Sequence, residues 1–254
     1  MNIQGKHVVI TGAGSGLGAA TATFLKEKGA TITLIDLNKD AVEAHAKKLD
    51  MPYTVCDVSN ATSGEKAIDF ALKTTGDIHA LVNCAGIAPG ARIVNREGPQ
   101  SLETFSKAIQ VNLIGSFNMM RLCADAMIKQ DTLNEDEERG VIINTASVAA
   151  YEGQIGQASY SASKAGVVGM TLPAAREFSK FGVRVTTIAP GLMETPMLSG
   201  MPEEVYESLI ASTLFPKRLG TGLDYAKMVL AIIENPLLNG ETIRLDGAIR
   251  LAPK

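Results

Sequence analysis

The chain has 254 residues, of which 46% are hydrophobic and 20% are charged, and its net charge is −3. These are ordinary values for a packed globular protein, so they exclude a mainly disordered chain, and the length suits one large α/β domain. A slightly negative chain without a basic patch offers no electrostatic field for phosphate backbones, which argues against nucleic acid as the ligand.

Short β-branched segments alternate with longer helical patterns along most of the chain, as in βαβ units. The segments are apolar throughout, which is typical of a parallel sheet covered by helices on both faces. Right-handed crossovers then predict one doubly wound α/β domain over residues 1–254, with a seven-stranded parallel sheet of the Rossmann type. The predicted strands are 7–11, 31–35, 53–56, 80–84, 141–146, 183–189 and 241–245.

Helical patterns fill the connections between these strands, so each crossover is predicted to be an α-helix. The longest pattern, 101–130, is expected to break near Gly115. Two segments, 88–100 and 129–140, are expected to be surface loops, and the second is acidic enough to be solvated. The other predicted helices are 16–28, 39–49, 61–75, 158–180, 203–213 and 222–234.

A glycine-rich segment, TGAGSGLG at 11–18, follows the first strand and opens the first helix. Glycines let the backbone approach a pyrophosphate, and the free N–H groups of a helix N-terminus favour its negative charge. The spacing is T-G-x-x-x-G-x-G rather than G-x-G-x-x-G, and a bare tight turn is the alternative. The residues expected to bind a dinucleotide here are Gly12, Ser15, Gly16, Leu17 and Gly18.

Two aspartates after predicted strands extend this cofactor site. Asp36 ends the second strand, where an acidic side chain can bind adenosine ribose hydroxyls. It would also repel a 2′-phosphate, and no arginine lies within 11–40 to attract one, so the sequence favours NAD over NADP; Lys39 is the one nearby cation. Asp57 either accepts from the adenine amino group or begins a turn before Ser59.

Tyr160 and Lys164 stand four positions apart and therefore share one face of a predicted helix. Taken alone, this pair is more typical of a solvated surface. Ser147, however, follows the fifth predicted strand at the carboxyl edge where open parallel sheets bind ligands, and Asn112 lies in the helical segment before that strand. Together these residues predict a proton-transfer site.

This set suits hydride transfer between a carbinol carbon and nicotinamide, because the hydroxyl must lose its proton as the hydride leaves. A phenol with a pKa near ~10 is a poor base at neutral pH, and a neighbouring ammonium favours the phenolate by roughly one to three pKa units. Lys164 is expected to lower the pKa of Tyr160 in this way. Ser147 is expected to hold the substrate oxygen, and Tyr160 returns the proton in the reductive direction.

Six motifs together resemble the short-chain dehydrogenase/reductase superfamily over essentially the whole chain. In that superfamily an Asn–Ser–Tyr–Lys set is catalytic, with the lysine also binding the nicotinamide ribose and the asparagine ordering a relay water. The resemblance therefore implies catalytic roles for Asn112, Ser147, Tyr160 and Lys164. The motifs are TGxxxGxG at 11–18, NCAG at 83–86, Asn112, Ser147, YSASK at 160–164 and PG at 190–191.

The resemblance also implies further cofactor contacts. Thr195, five residues after Pro190, matches the position that contacts the nicotinamide carboxamide. Cys84 stands where N-N-A-G is commoner, and its backbone remains available on the adenosine side. The other residues implied to bind the cofactor are Val58, Asn83, Ala85, Gly86, Tyr160, Lys164, Pro190 and Met193.

Segments of the second half look like one group within that superfamily, the type 2 3-hydroxyacyl-CoA dehydrogenases, also called type 10 17β-hydroxysteroid dehydrogenases. The likeness implies NAD-dependent, reversible oxidation of short-chain 3-hydroxyacyl-CoA, including 2-methyl-branched chains. Gln154 then contacts the substrate oxygen with Ser147 and Tyr160, and the loops 88–100 and 193–213 shape the substrate pocket. The segments are GVIINTASVAAYEGQIGQASYSASKAGVVGMTLPAARE, VTTIAPGLMETPML, FPKRLG and AIIENPLLNGETIRLDGAIRLAP.

Other functions stay open, because Met193 and Glu194 depart from the more familiar Phe-Gly of that group. A 3-oxoacyl-[acyl-carrier-protein] reductase shares the four catalytic positions, although Asp36 argues against the NADPH preference usual there. A steroid or secondary-alcohol dehydrogenase is a third possibility. A cofactor-binding partner protein without turnover is a fourth, against which the intact catalytic set speaks.

The resemblance implies a homotetramer with helices 101–130 and 158–180 at its interfaces and the C-terminal RLAPK near a neighbouring subunit. No apolar run approaches the ~20 residues that cross a membrane, and the first residues lack a signal-type leader. Cys56, Cys84 and Cys123 are odd in number without metal-type spacing, which suits reduced thiols. We therefore expect a cytoplasmic protein without disulfides, a metal site or a membrane span.

Overall fold

A computed structural model of the chain describes residues 1–194 and 203–253. Its strands are β1 (His7–Thr11), β2 (Thr31–Asp36), β3 (Tyr53–Val55), β4 (Ala80–Asn83), β5 (Val94–Asn95), β6 (Gly98–Pro99), β7 (Gly140–Thr145), β8 (Val183–Pro190) and β9 (Thr242–Leu245). Its helices are α1 (Gly16–Glu27), α2 (Lys39–Leu49), α3 (Ala61–Thr75), α4 (Leu102–Ala108), α5 (Gly115–Met127), α6 (Ala158–Ser179), α7 (Glu203–Ser212) and α8 (Gly222–Glu234). A π-helical turn, Ile109–Ile114, joins α4 to α5, and a 3₁₀ turn, Val148–Ala150, follows β7.

Seven strands form one parallel sheet in the order β3-β2-β1-β4-β7-β8-β9, and β5 pairs with β6 as a separate antiparallel hairpin. The chain proceeds from β1 outward to β3 and then returns to β4 on the other side of β1. Ligands of open α/β sheets bind at the carboxyl ends of the strands where the order reverses in this way. The topology confirms the predicted doubly wound fold and places a crevice beyond Thr11 and Asn83.

The central strands are buried along their whole length because helices cover both of their faces. Every residue of β1, β4, β7 and β8 is buried. One hydrophobic cluster includes Leu25 of α1 and Tyr225 of α8, and a second includes Ala67 of α3, Met119 of α5 and Ala175 of α6. Packing on both faces makes the sheet a rigid support for the loops at its carboxyl edge.

Side-chain caps fix where most of the helices around the crevice begin. Asn38 caps α2 and Asn60 caps α3, each by accepting from the N–H three residues further on. Thr221 and Asp224 form a reciprocal capping box at α8. Ser15 precedes α1 without a side-chain bond to that helix, so the first N–H groups of α1 are left to other partners.

The long helical segment 101–130 is irregular just before Gly115, near the predicted place. Its irregularity is the π-helical turn 109–114, and the backbone remains right-handed helical on both sides of Gly115. An added Cβ at Gly115 would lie 2.6 Å from Cγ2 of Val58. The glycine therefore allows α5 to approach the loop after β3, and the predicted irregularity near Gly115 is a π-helical turn and not an end of the helix.

The two predicted loops also contain more structure than expected. Segment 88–100 includes the β5–β6 hairpin. In 129–140, Glu138 is buried and accepts hydrogen bonds from Arg184 at 2.8 and 3.0 Å and from the amino group of Met1 at 2.9 Å. Two cations compensate for the solvation that the carboxylate loses, so the prediction of a solvated loop is wrong at this residue.

The remaining element predictions are confirmed closely. All seven predicted strands belong to the central sheet, and their ends differ from the prediction by one residue at most. The predicted helices outside 101–130 also begin and end within one residue of the observed bounds. Within residues 1–194 and 203–253, no helix combines the length and apolar character needed to span a membrane.

Candidate active site

A cavity of about 730 Å³ opens at the carboxyl edge of the sheet, where the strand order reverses. Residues at or just beyond the ends of β1, β2, β3, β4, β7 and β8 all line it, together with the start of α6. Its volume is within the usual range of roughly 300–1,000 Å³ for small-molecule and cofactor sites. The cavity is therefore the candidate active site.

The glycine-rich turn after β1 forms one part of the cavity wall because side chains do not fit there. Gly12 has φ +64°, and a Cβ on it would lie 2.8 Å from the N atom of Ala85. A Cβ on Gly18 would lie 2.7 Å from the carbonyl carbon of Gly12. Ser15 and Gly16 line the cavity at the uncapped start of α1, where free N–H groups favour a pyrophosphate. These residues therefore fit a dinucleotide.

Two predicted aspartates line the same cavity. One carboxylate oxygen of Asp36 accepts from the N–H of Gly14 and the other from the N–H of Asn38, both at 2.9 Å. One oxygen of Asp57 accepts from the N–H of Ser59 at 2.9 Å and from its hydroxyl at 2.6 Å. Asp57 thus forms the turn that the sequence suggested, and its contact with adenine stays a prediction.

Three predicted catalytic side chains meet where β7 and α6 face the cavity. The hydroxyl of Ser147 accepts from the N–H of Ala149 at 3.1 Å and lies near enough to the phenol of Tyr160 to lower the pKa of that phenol. Lys164 lies one turn further along α6, with Nζ 5.8 Å from the centre of the Tyr160 ring. The same Nζ donates to the carbonyl of Thr145 at 2.7 Å, which holds it against the end of β7.

Burial decides the acidity of these groups. It raises the pKa of Tyr160, and the hydrogen bond with Ser147 offsets only part of the increase. Burial also lowers the pKa of Lys164 to about 8. The pKa of Tyr160 is therefore raised in this arrangement and not lowered as expected, and its shift comes from burial and from Ser147.

Asn112 lies in the π-helical turn and is completely buried. Its amide oxygen accepts from the N–H of Ile87 at 2.8 Å, and its amide nitrogen donates to the carbonyl of Ile87 at 2.8 Å and to the hydroxyl of Ser163 at 2.9 Å. The side chain thus joins the loop after β4 to α6 without lining the cavity. Its implied role in ordering a water stays a prediction.

The NCAG segment continues from β4 under the cavity. The hydroxyl of Thr11 accepts from the N–H groups of Cys84 and Ala85, both at 3.1 Å, and this fixes the backbone beside the glycine-rich turn. Asn83 is buried and donates to Oδ1 of Asn144 at 3.0 Å, so its side chain supports the sheet edge and is not part of the cavity lining.

The thiol of Cys84 explains how the chain accommodates the departure from N-N-A-G. It lies 3.7 Å from the hydroxyl of Tyr225 and 3.8 Å from that of Thr145, and those two hydroxyls are 2.7 Å apart. Burial raises the pKa of Cys84. The thiol is therefore a small neutral group packed against the buried tyrosine of α8.

The other predicted residues are distributed along the same cavity. Pro190 ends β8, Met193 lies three residues beyond it, and Gln154 lies in the loop between Ser147 and Tyr160. Thr195 lies outside the described residues. The predicted residues that line the cavity are Gly12, Ser15, Gly16, Leu17, Gly18, Asp36, Asp57, Val58, Cys84, Ala85, Gly86, Ser147, Gln154, Tyr160, Lys164, Pro190 and Met193.

Sequence reasoning misses two supporting residues. Nδ1 of His45 lies 2.8 Å from the carbonyl of Ala13 in the glycine-rich turn, and Nε2 lies 3.1 Å from the hydroxyl of Thr23. A single histidine on an amphipathic helix gives no signal for this contact. Thr145 lines the cavity, and its carbonyl accepts the hydrogen bond from Lys164. Its position two residues before Ser147 could have indicated this place, because residues two apart along a strand lie on the same face.

A doubly wound parallel sheet, a dinucleotide-type turn and a Ser–Tyr–Lys cluster in one cavity define an oxidoreductase of the Rossmann type. Comparison with known proteins agrees with this class. The family profile described as short chain dehydrogenase matches residues 6–205. The chain belongs to the short-chain dehydrogenase family.

Individual relatives match nearly the whole chain. The 3-hydroxyacyl-CoA dehydrogenase type-2 of Homo sapiens is 50% identical over 99% of this chain and 98% of its own length. The protein of the same name from Drosophila melanogaster is 48% identical over 96% of this chain and 97% of its own. The crystal structure of 3-hydroxyacyl-CoA dehydrogenase type-2 from Mycobacterium avium has a TM-score of 0.91 and 38% identity, over 98% of this chain and 97% of that chain.

Proposed function

We propose that this protein interconverts short-chain 3-hydroxyacyl-CoA, including 2-methyl-branched chains, and 3-oxoacyl-CoA with NAD as the hydride carrier. The 50% identity to the human type-2 3-hydroxyacyl-CoA dehydrogenase, spread over 99% of the chain, is the observation that carries the substrate. The cluster of Ser147, Tyr160 and Lys164 supports the chemistry.

The hydroxyl groups of Ser147 and Tyr160 bind the substrate oxygen, and Tyr160 transfers the proton. The substrate hydroxyl binds between Ser147 and Tyr160, which both line the cavity. NAD, when bound, supplies the hydride acceptor and a positive charge that favours the phenolate of Tyr160. Tyr160 takes the hydroxyl proton as the carbonyl forms and returns it in the reductive direction. Lys164 binds the nicotinamide ribose from the position fixed by Thr145.

The preference for NAD over NADP rests on Asp36. Backbone N–H groups of Gly14 and Asn38 hold its carboxylate on the cavity wall, where it can accept the adenosine ribose hydroxyls. A 2′-phosphate at the same place would be repelled by the carboxylate. Lys39 is exposed at the start of α2 and is not among the lining residues, so it does not offset this repulsion from within the cavity.

The substrate part of the proposal involves Gln154, the loop 88–100 and the segment 193–213, which includes α7 and of which residues 195–202 lie outside the described residues. Gln154 lines the cavity, as do Ala88 and Met193 at the starts of the loop and the segment. A contact between Gln154 and the substrate oxygen would orient the acyl group toward Ser147. The loop and the segment would then surround the acyl-CoA beyond the reacting carbon.

A homotetramer and a cytoplasmic location complete the proposal. Large apolar side chains are exposed on the helices proposed for the interfaces, namely Leu102 (76%) and Phe117 (51%) on α4 and α5 and Leu172 (44%) on α6. Exposed apolar groups on adjacent helices are typical of subunit contacts. The three cysteines are free thiols, which suits a reducing compartment.

The proposal is tested by comparing reduction rates of acetoacetyl-CoA with NADH and with NADPH, and of acetoacetyl-acyl carrier protein with each cofactor. We expect the CoA ester with NADH to give the highest kcat/KM. A preference for the carrier protein with NADPH would identify a 3-oxoacyl-[acyl-carrier-protein] reductase instead. Turnover of steroids or secondary alcohols alone would also contradict the proposed substrate.

A further inference from the structure

The C-terminal segment, residues 249–253, lies beside the substrate part of the cavity. Leu251 lines the cavity, as do Gln154 and Gln157. The side-chain amide of Gln154 donates to the carbonyl of Ala252 at 3.0 Å, and the N–H of Ile155 donates to the carbonyl of Pro253, also at 3.0 Å. The C-terminal segment is therefore attached to the loop that joins Ser147 to Tyr160.

An ion-pair cluster holds the beginning of the C-terminal segment. Glu152 accepts from the N–H of Leu251 at 3.1 Å and from Arg244 at 2.8 Å. Arg244 also pairs with Asp246 at 2.6 Å and donates to the carbonyl of Ile249 at 3.0 Å. The side chains of Glu152 and Arg244 are only 21% and 24% exposed, so solvent screens their pair less than an exposed one.

The same attachment fixes Gln154. Its amide nitrogen is bound to Ala252, and its amide oxygen lies 3.5 Å from the amide nitrogen of Gln157. The orientation of a side chain proposed to contact substrate thus depends on the position of the C-terminal segment. Leu251 adds an apolar surface to this region, and Met193 is another apolar lining residue.

Building on the proposed function, we propose that the C-terminal segment is the wall that limits acyl-chain length, that Leu251 meets the acyl chain, and that Glu152 is a positioning residue for this wall. An acyl chain that extends beyond the reacting carbon needs apolar surface, and Leu251 supplies such surface on the segment that is attached to Gln154. A single methylene in an apolar pocket changes discrimination by about tenfold or more, so one leucine is enough to set a limit.

The test compares Leu251→Ala and Leu251→Phe with the wild type on acetoacetyl-CoA and 3-oxooctanoyl-CoA. We expect Leu251→Ala to raise the ratio of kcat/KM for the longer substrate over the shorter by at least about fivefold, and Leu251→Phe to lower it. The KM for NADH should stay within about twofold in both, which also reports an intact fold. An unchanged ratio in the two variants would overturn the proposal.

The positioning role of Glu152 is tested with Glu152→Gln. The matched control is Asp125→Asn, which removes the exposed ion pair between Asp125 on α5 and Lys129 just beyond the end of that helix. Glu152→Gln should raise the ratio of kcat/KM for the longer substrate over the shorter, as Leu251→Ala does, mainly through the KM for the acyl-CoA. In the double variant Glu152→Gln/Leu251→Ala, the ratio should be little higher than in Leu251→Ala alone. If Glu152→Gln lowered kcat equally on both substrates, Glu152 would have only a structural role, and the proposed positioning role would be overturned.

These outcomes also separate the inference from the proposed function. A wild-type protein that turns over neither acyl-CoA would refute the proposed function and the inference with it. A wild-type protein that reduces acetoacetyl-CoA, with a chain-length ratio that none of the variants changes, would refute the inference alone.

Discussion

Tyr160 lies in the cavity wall with Ser147, and the Lys164 ammonium lies over its ring. Burial raises the pKa of this phenol, so the group is protonated at neutral pH before a substrate and a cofactor bind. A protonated phenol is the form that donates to a carbonyl in the reductive direction. Proton transfer by Tyr160 is thus compatible with the acidity that its surroundings impose.

Tyr160→Phe should lower kcat by roughly a hundredfold to ten-thousandfold and leave NADH affinity within about threefold, because the ring stays and only the proton carrier is lost. Steady-state rates and an NADH binding titration measure the two effects. Tyr53→Phe is the control, since Tyr53 lies on β3 outside the cavity lining. A Tyr160→Phe enzyme that keeps most of its activity would contradict the proton-transfer role.

Asp36→Asn should lower kcat/KM for NADH by about tenfold and reduce the preference for NADH over NADPH, because a hydrogen bond to a charged group contributes roughly 1.5–3 kcal/mol. Kinetics with both cofactors measure the change. Asp40→Asn, on the exposed first turn of α2, is the matched control and should keep the wild-type preference. If Asp36→Asn also kept the wild-type preference for NADH over NADPH, Asp36 would not be the residue that determines cofactor preference.

The identity of the catalytic residues could be predicted from sequence, but their surroundings could not. Ser147, Tyr160 and Lys164 follow from the end of a strand and one helical turn, which are local features. The partners of Asn112 depend on a π-helical turn and on a loop 25 residues away. The direction of the Tyr160 pKa shift depends on burial by tertiary packing, which local spacing does not contain.

At the scale of elements, the glycine-rich turn and α1 fit together with almost no free space. A Cβ on Gly18 would approach the carbonyl carbon of Gly12 to 2.7 Å, closer than real Cβ contacts. Gly18→Ala should therefore push α1 away from the turn, destabilise the protein by roughly 1–3 kcal/mol and weaken NADH binding at least about tenfold. Thermal unfolding and an NADH titration measure both effects.

The matched control is Gly90→Ala. Gly90 lies in the 88–100 loop with nothing within 4 Å of an added Cβ, and it is not a lining residue. This variant should keep wild-type NADH affinity and stability to within about 1 kcal/mol. Equal effects of the two alanines would mean that the close approach at Gly18 does not matter.

Strand positions were predictable because parallel strands buried on both faces need continuous apolar segments, as in the buried β1, β4, β7 and β8. The π-helical turn was not, because its wider hydrogen-bonding ring leaves no sequence period of its own. The helix-breaking tendency of glycine does not explain Gly115, which instead allows the close approach of α5 to Val58.

At the scale of the whole molecule, His7 ties the amino edge of the sheet together. Nδ1 lies 2.6 Å from the carbonyl of Asp77, and Nε2 lies 2.8 Å from the hydroxyl of Thr33. Burial lowers the pKa of His7 from 6.5 to about 4, against the raising effect of the hydrogen bond with Asp77. The folded protein therefore keeps this imidazole neutral at pH values where the unfolded chain protonates it.

The unfolded chain takes up this proton at a higher pH than the folded protein does. The contribution of neutral His7 to the free energy of unfolding is therefore complete above pH 6.5 and should be lost as the pH falls toward about 4. Between about pH 7 and pH 5, the free energy of unfolding should fall by roughly 2 kcal/mol more in the wild type than in His7→Gln. Denaturant titrations at the two pH values measure this difference. Parallel pH dependences of the two proteins would contradict the burial effect.

Contacts between residues far apart in the chain could not be predicted from the sequence. Glu138 belongs to an acidic stretch that looks solvated, yet it pairs with Arg184 of β8, 46 residues away. Gln154 and Ala252 are 98 residues apart and meet only because β9 brings the C-terminal segment back to the cavity. Such pairs depend on strand order, which the alternation of strands and helices predicts only in outline.

The proposed activity is tested most directly by the reduction of acetoacetyl-CoA with NADH and the purified protein, measured as the loss of NADH absorbance. The structure and the proposed function together predict NADH consumption in stoichiometric yield with 3-hydroxybutyryl-CoA, at a rate that falls at least about a hundredfold in Tyr160→Phe. A wild-type protein that binds NADH and leaves acetoacetyl-CoA unreduced would contradict the proposed activity.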